Sequence, residues 1–386
     1  MKKVKIGVCT GFENIGIAEE LGFDYVECSL SALAALSEEE FAGVLKEQLK
    51  WKIPVYSCNG MIPGSVPCVG PNASDEAVEE YLNRAFGRAK LLRVRTVVFG
   101  SGASRGVPEG WPHEDAWRQI VHFLNIAAKI AREHLIQIAI EPLRRAECNI
   151  INYVSEGTAL AAVVDEPEVG VLGDTFHMNA VGEPYEALAY AGRLLKHVHI
   201  SHSPDRTYPK AGDGEDYGTL FDVLDRIGYE GGVSIEAGTK DFRTDGAAAL
   251  EHLQAIIRSK GAFLLSRKEL EEKERKIGCR VMGCPHEIKG AIAPVPGYLY
   301  GRVPLDLLQE GMERACRWFD RASEEDKAIL AESYQDECDV IREMNRLMKE
   351  ADPATGEQEV GLMEMLLRVL NDYLARPEME RKTFFL

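Results

Sequence analysis

A closed barrel of eight parallel strands ringed by helices, followed by an α-helical extension, is the α/β fold that the sequence predicts. Three observations lead to it. Between residue 4 and about residue 263, short β-branched runs alternate with longer amphipathic stretches, which is the pattern of successive βα units on a parallel sheet. Eight units fill that span, and about 260 residues is the usual size of a (β/α)8 or TIM barrel. The turn after the first run, Gly7-Val8-Cys9-Thr10-Gly11, lacks the glycine spacing of a dinucleotide-binding turn, which disfavours a doubly wound open sheet.

The expected strands, in order, are Val4–Val8, Tyr25–Cys28, Val55–Cys58, Thr96–Phe99, Gln137–Glu141, Val169–Asp174, His197–Ile200 and Gly232–Glu236. Between the second and third, Ser37 and Glu40 form a capping-box signal before an apolar stripe of Phe41, Val44, Leu45 and Leu49, expected to face the sheet. Between the third and fourth, Val78, Tyr81, Leu82, Ala85, Phe86 and Ala89 recur at helical spacing and predict one buried face.

Beyond Arg267 the texture changes. A Lys/Glu-rich stretch leads into the turn-rich segment Gly290–Tyr298, and then Leu305–Phe319, Ser323–Met348 and Val360–Leu374 show apolar periodicity. The expected division is a catalytic barrel over residues 1–264 and a helical extension over 265–386. That extension is expected to cover the mouth, build a homo-oligomer interface or bind a partner subunit.

Composition narrows the class of function. A formal charge of −17 with no long basic tract disfavours nucleic acid as a partner. No apolar stretch approaches the roughly 20 residues that span a bilayer, and Lys5, Gly11 and Glu13 interrupt the start before a signal-peptide core develops. Nine scattered cysteines suit reduced thiols, and a cytoplasmic location is expected. Cys279, Cys284 and His286 offer three zinc ligands without a nearby fourth.

Chemistry concentrates at the strand ends, because a barrel of this kind gathers its reactive groups at the C-terminal mouth. Glu141 closes strand five, Asp174 strand six and Glu236 strand eight, while His199 lies in His197-Val198-His199 on strand seven. Each alone is an ordinary strand-end polar residue; four in register are not. Three carboxylates and an imidazole converging without a cation would repel and protonate one another, so a divalent ion is implied, with an octahedral preference such as Mn2+, Mg2+ or Co2+. His197 is expected to point away from His199 and to be structural. His202 either reaches the mouth or caps its loop. Arg105 is read either as holding a phosphate or carboxylate of the substrate or as a loop salt bridge.

Over roughly residues 3–262 the sequence resembles the xylose isomerase-like barrels known as sugar phosphate isomerases/epimerases, which include ketose 3-epimerases and hydroxypyruvate isomerases. The resemblance rests on Phe99-Gly100-Ser101-Gly102, on Ile140-Glu141-Pro142-Leu143 with Glu147 and Asn152, and on Gly173-Asp174-Thr175-Phe176-His177-Met178. It continues through His197-Val198-His199 with Arg206 and through Gly228-Tyr229-Glu230-Gly231 leading to Glu236. It implies that Glu141, Asp174, His199 and Glu236 hold one divalent metal ion, Mn2+ first, and that Glu147, His177 and Arg206 contact a small carbohydrate. Asn59, in Cys58-Asn59-Gly60-Met61, resembles part of the family's substrate-side loop. The implied chemistry is proton abstraction beside a carbonyl through an enediolate, with Glu141 and Glu236 as the acid/base pair. One extra residue before Arg206, relative to the ketose 3-epimerase pattern, is expected to move or retire that contact.

Three rivals stand beside this expectation. The C-glycoside deglycosidases resemble the same barrel and metal site, and act on 3-oxo-glycosides. The apurinic endonucleases share the barrel but need a multi-metal, histidine-rich site and a basic face. A sugar-binding or scaffold module without catalysis is the third.

Overall fold

In a computed structural model, residues 4–259 are described; the expected helical extension, the domain boundary and the Cys279/Cys284/His286 group lie outside them. Eight strands close into one barrel in sequence order: β1 Lys5–Cys9, β2 Tyr25–Ser29, β3 Val55–Asn59, β4 Thr96–Phe99, β5 Gln137–Ile140, β6 Val169–Asp174, β7 Leu195–Ile200 and β8 Gly232–Ile235. Every pairing is parallel, and β1 closes the ring on β8. The closed barrel leaves no sheet edge open among the described residues. Among the described residues no helix is long and apolar enough to cross a membrane.

The strands form where β-branched residues cluster because both faces of a parallel barrel strand are covered, by the helical ring outside and by the lumen inside. All four residues of β4 and of β8 are buried. The main core lies between strands and helices, while Val98, Ala139 and Leu172 make a separate apolar group. Parallel register breaks at Val26/Glu27 and at Val171/Leu172, and such irregularities re-aim the side chains that follow them.

Tyr25 fills space that two glycines leave free. A Cβ on Gly7 would lie 2.2 Å from its ring, and one on Gly232 would lie 2.3 Å from its hydroxyl. The ring is fully buried, as are Glu27, His197 and Ser234.

The helix Glu38–Gln48 opens on the expected capping box, with Ser37 Oγ accepting from the Glu40 N–H and the Glu40 carboxylate accepting from the Ser37 N–H. Phe41 is buried, but Leu49, expected on the inward stripe, follows the helix and is 87% exposed. The apolar periodicity outlasts the helix by one residue, and the end of the helix carries that side chain into solvent. All six residues of the expected Val78–Ala89 stripe are buried on the helix Asp75–Leu91.

Candidate metal centre at the mouth of the barrel

Four ligand groups meet where β5 to β8 end. One donor atom each from Glu141, Asp174, His199 and Glu236 lies within 4.8 Å of all the others. Each side chain is aimed by its backbone setting. Glu141 follows β5, where its N–H donates to Phe99 O at 3.1 Å. Its carboxylate occupies room that only a glycine at 100 provides, since a Cβ there would lie 2.2 Å from Glu141 Oε2. Asp174 ends β6 and caps the helix Thr175–Val181, with Oδ1 accepting from the Phe176 N–H at 2.9 Å. One oxygen is thus committed to the helix, and the other faces the cluster.

His199 uses its two nitrogens in opposite directions. Nε2 donates to Glu27 Oε1 at 2.9 Å, while Nδ1 lies 3.1 Å from both Glu141 Oε1 and Glu236 Oε2. Glu236 follows β8; Asn59 Nδ2 donates to its Oε1 at 3.1 Å and Arg206 Nη2 to its Oε2 at 2.6 Å. The donor set is three hard carboxylates and one imidazole, which suits a divalent ion of the Mn2+ or Mg2+ kind better than a soft thiophilic one. These residues fit the ion that the sequence implies.

Electrostatics show the same conflict among unneutralised ligands. Burial, then the charges of Glu236 and Glu141, push the Asp174 carboxyl up to about 7. Burial and Glu236 also raise Glu141. Glu236 goes the other way: burial opposes its ionisation, but His199 and Arg206 outweigh it and hold the carboxyl down at about 2. His199 is raised well above the ordinary imidazole range, because Glu236 and Glu27 overcome the effect of burial.

The expected substrate contacts surround this cluster. His177 Nδ1 accepts from the Arg144 N–H at 3.2 Å, so its proton sits on Nε2, which has no hydrogen-bond partner and lies 3.4 Å from Asp174 Oδ2. Burial, helped by the nearby Arg206 charge, holds this imidazole down at about 3, keeping it a neutral donor. Arg206 reaches the cluster, with Nη2 3.4 Å from Asp174 Oδ2 and its guanidinium carbon 4.6 Å from the centre of the Phe176 ring. Arg206 sits in a tight turn at φ 51°, pinned by Gly238 N–H donating to Arg206 O at 2.8 Å. A non-glycine residue held in that conformation is costly backbone, of the kind that clusters at functional sites. Glu147 lies at the rim, accepting from Arg144 Nε at 2.7 Å and lying 3.8 Å from Arg206 Nη1.

Arg105 does not face the mouth. It is fully buried, and its Nη1 and Nη2 donate to the Phe99 and Glu141 carbonyls at 2.7 Å each. Among the described residues no loop salt bridge forms, and the short helix Gly102–Arg105 turns the guanidinium inward onto carbonyls at two strand ends, away from the position a substrate contact would need. His197 also departs from expectation. Residues two apart on a strand share a face, and it lies on the same side as His199, with ring centroids 5.2 Å apart. It remains structural, donating from Nε2 to Glu27 Oε2 at 2.7 Å. His202 caps its loop through Asp205 at 2.7 Å.

Glu27 was not anticipated. Its signal was present: a lone carboxylate inside Tyr25-Val26-Glu27-Cys28, on a strand otherwise without charge, where burial on both faces disfavours one. Cys9, Glu27 and His199 also approach one another closely enough to form a second, smaller cluster.

Comparison with known proteins follows the fold. Residues 15–260 match the family described as the xylose isomerase-like TIM barrel. The chain is 28% identical over 239 residues to the D-psicose 3-epimerase of Agrobacterium fabrum (strain C58), an alignment covering 59% of this chain and 79% of that one. It is 26% identical over 239 residues to the 3-dehydro-D-guloside 4-epimerase of Escherichia coli (strain K12), covering 58% and 86%. Among solved structures, D-psicose 3-epimerase from Clostridium cellulolyticum H10 with D-tagatose superposes with a TM-score of 0.58 at 21% identity, over 66% of this chain and 99% of that one.

Proposed function

This chain belongs to the xylose isomerase-like TIM barrel family, and from that premise we propose that it is a divalent-metal-dependent sugar epimerase or isomerase working by proton transfer beside a carbonyl. The observation that carries the reading is the convergence of Glu141, Asp174, His199 and Glu236 within 4.8 Å at the barrel mouth. Relatives described as sugar 3- and 4-epimerases support the substrate class.

In this reading Glu141, Asp174, His199 and Glu236 hold the ion, which when bound acts as a Lewis acid on the carbonyl and makes the neighbouring C–H acidic. Glu141 and Glu236 remove and return the proton. They follow β5 and β8, with β6 and β7 between them in the ring, and in this reading they act on the two faces of a sugar seated over the cluster. His177 presents an N–H from Nε2 to an oxygen that gains charge as the enediolate forms. Arg206, Asn59 and Glu147 orient the hydroxyl groups.

The test is solvent exchange. Full-length protein with Mn2+ is incubated in D2O with ketoses, ketose phosphates and 3-oxo-glycosides, and deuterium is followed by NMR. We expect deuterium at the epimerised carbon with at least one member, lost in Glu236→Gln. Turnover that keeps the original proton would replace this scheme with a hydride shift. Cleavage of 3-oxo-glycosides without epimerisation would move the protein to the lyase reading. No exchange with any member, despite Mn2+ binding, would favour a binding module.

A further inference from the structure

A fully engaged, buried carboxylate lies beneath the proposed centre rather than in it. Glu27 is fully buried, and its two oxygens are used unequally. Oε2 accepts three hydrogen bonds, from Ser57 Oγ at 2.8 Å, His197 Nε2 at 2.7 Å and Ser234 Oγ at 2.7 Å. Oε1 accepts from His199 Nε2 at 2.9 Å.

The anchoring side of this arrangement is itself fixed. Tyr25 Oη lies 2.9 Å from Ser234 Oγ; since Ser234 spends its proton on Glu27, the tyrosine is the donor. His197 Nδ1 is buried without a partner, so that ring also carries its proton on Nε2. Three donors from β3, β7 and β8 therefore clamp one oxygen and leave the other with a defined direction. A carboxylate enclosed this way is not explained by stability, because a buried charge is costly to desolvate and well-packed apolar residues often replace it without loss.

We propose that Glu27 is a positioning residue for the metal centre, holding His199 by Nε2 so that Nδ1 is turned, unprotonated, towards the cation. An imidazole binds a metal through a bare nitrogen, and a hydrogen bond at the other nitrogen decides which one is bare. β2 thereby takes part in a site whose four ligands all come from β5 to β8. The inference rests on the metal reading above for its consequence, but its tautomer claim concerns the ion-free protein as well.

Two measurements on the full-length protein test it. In the first, long-range proton–nitrogen NMR of 15N-histidine-labelled, metal-free protein, carried to a pH at which His199 has lost one of the two protons that its carboxylate neighbours favour, reports which nitrogen keeps the other. Nε2 is expected; a proton resting on Nδ1 overturns the proposal whether or not the protein binds metal. In the second, Mn2+ alone is titrated calorimetrically into wild type, Glu27→Gln, His199→Gln and the double variant. Glu27→Gln is expected to weaken binding roughly 10–100-fold, the usual effect of removing such a partner, and to cost little more once His199 is gone, as coupled residues do. Unchanged affinity in Glu27→Gln, or an equal loss with and without His199, overturns the proposal. If Glu27→Gln does not fold, Ser57→Ala loosens the clamp while sparing the carboxylate; several-fold weaker binding supports the role and unchanged binding overturns it. Absence of Mn2+ binding by wild type would instead sink the metal reading, leaving the NMR result to decide the tautomer.

Discussion

Gly100 shows how narrow the tolerances at the mouth are. It carries no side chain because a methyl group there would lie 2.2 Å from Glu141 Oε2, well inside contact distance. Gly100→Ala is expected to push that carboxylate out of line and to weaken Mn2+ binding on the order of tenfold. The hindrance is to a side chain at the lumen surface rather than to backbone, so Tm should move by only a few degrees. Calorimetric titration beside a thermal melt checks both halves; a large fall in Tm with full affinity would place the glycine's role in folding. His177 is a second residue whose neighbours define it. An N–H from Arg144 occupies one ring nitrogen and so commits the other to donate.

Elements explain where the reading from sequence succeeded and where it stopped. Strand positions were legible because β-branched runs and the polar residues that end them are written into local composition; Glu141, Asp174 and Glu236 were visible as carboxylates closing apolar runs. Directions that depend on neighbouring elements were not legible. Arg105 looked available at the mouth, yet the helix Gly102–Arg105 is so short that its guanidinium folds back onto the ends of β4 and β5. The role of Glu27 is not legible in the sequence, because a buried carboxylate makes sense only once β3, β7 and β8 bring their donors to it. The Arg105 arrangement carries a prediction of its own. Arg105→Leu strips a donor from two buried carbonyls, at a cost of about 1–3 kcal/mol each, and should lower the urea midpoint. It should leave relative activity on neutral and anionic sugars unchanged; a selective loss on anionic substrates would return Arg105 to the binding role.

Across the whole molecule, charge ties the site to pH. Burial, with Glu236 and Glu141, raises Asp174 to about 7 from 3.8, and an ion needs that carboxylate ionised. Apparent Mn2+ affinity should therefore fall as pH drops below about 7, by about tenfold per pH unit from the Asp174 proton, with the proton that His199 must also give up adding to the dependence. Titrations at pH 6, 7 and 8 check this; equal affinity at all three would mean that the proton is not held there. In the ion-free protein the same shift acts on stability with the opposite slope. Its contribution is fully present below about 3.8, and it is lost as pH rises to about 7. Melts of chelator-treated protein should therefore show Tm falling over that window, and saturating Mn2+ should offset the fall.

The buried tyrosine under the centre has a consequence for traffic. With Tyr25 lodged where Gly7 and Gly232 make room, and with Glu27, His197 and Ser234 fully covered around it, the lumen is a cul-de-sac. On the proposed function, a sugar that enters over the cluster must back out by the same side, so each product molecule blocks the next arrival for as long as it lingers. On the proposed mechanism, a proton lifted onto Glu141 or Glu236 finds no exit through the floor and is exchanged only from the side by which the sugar came.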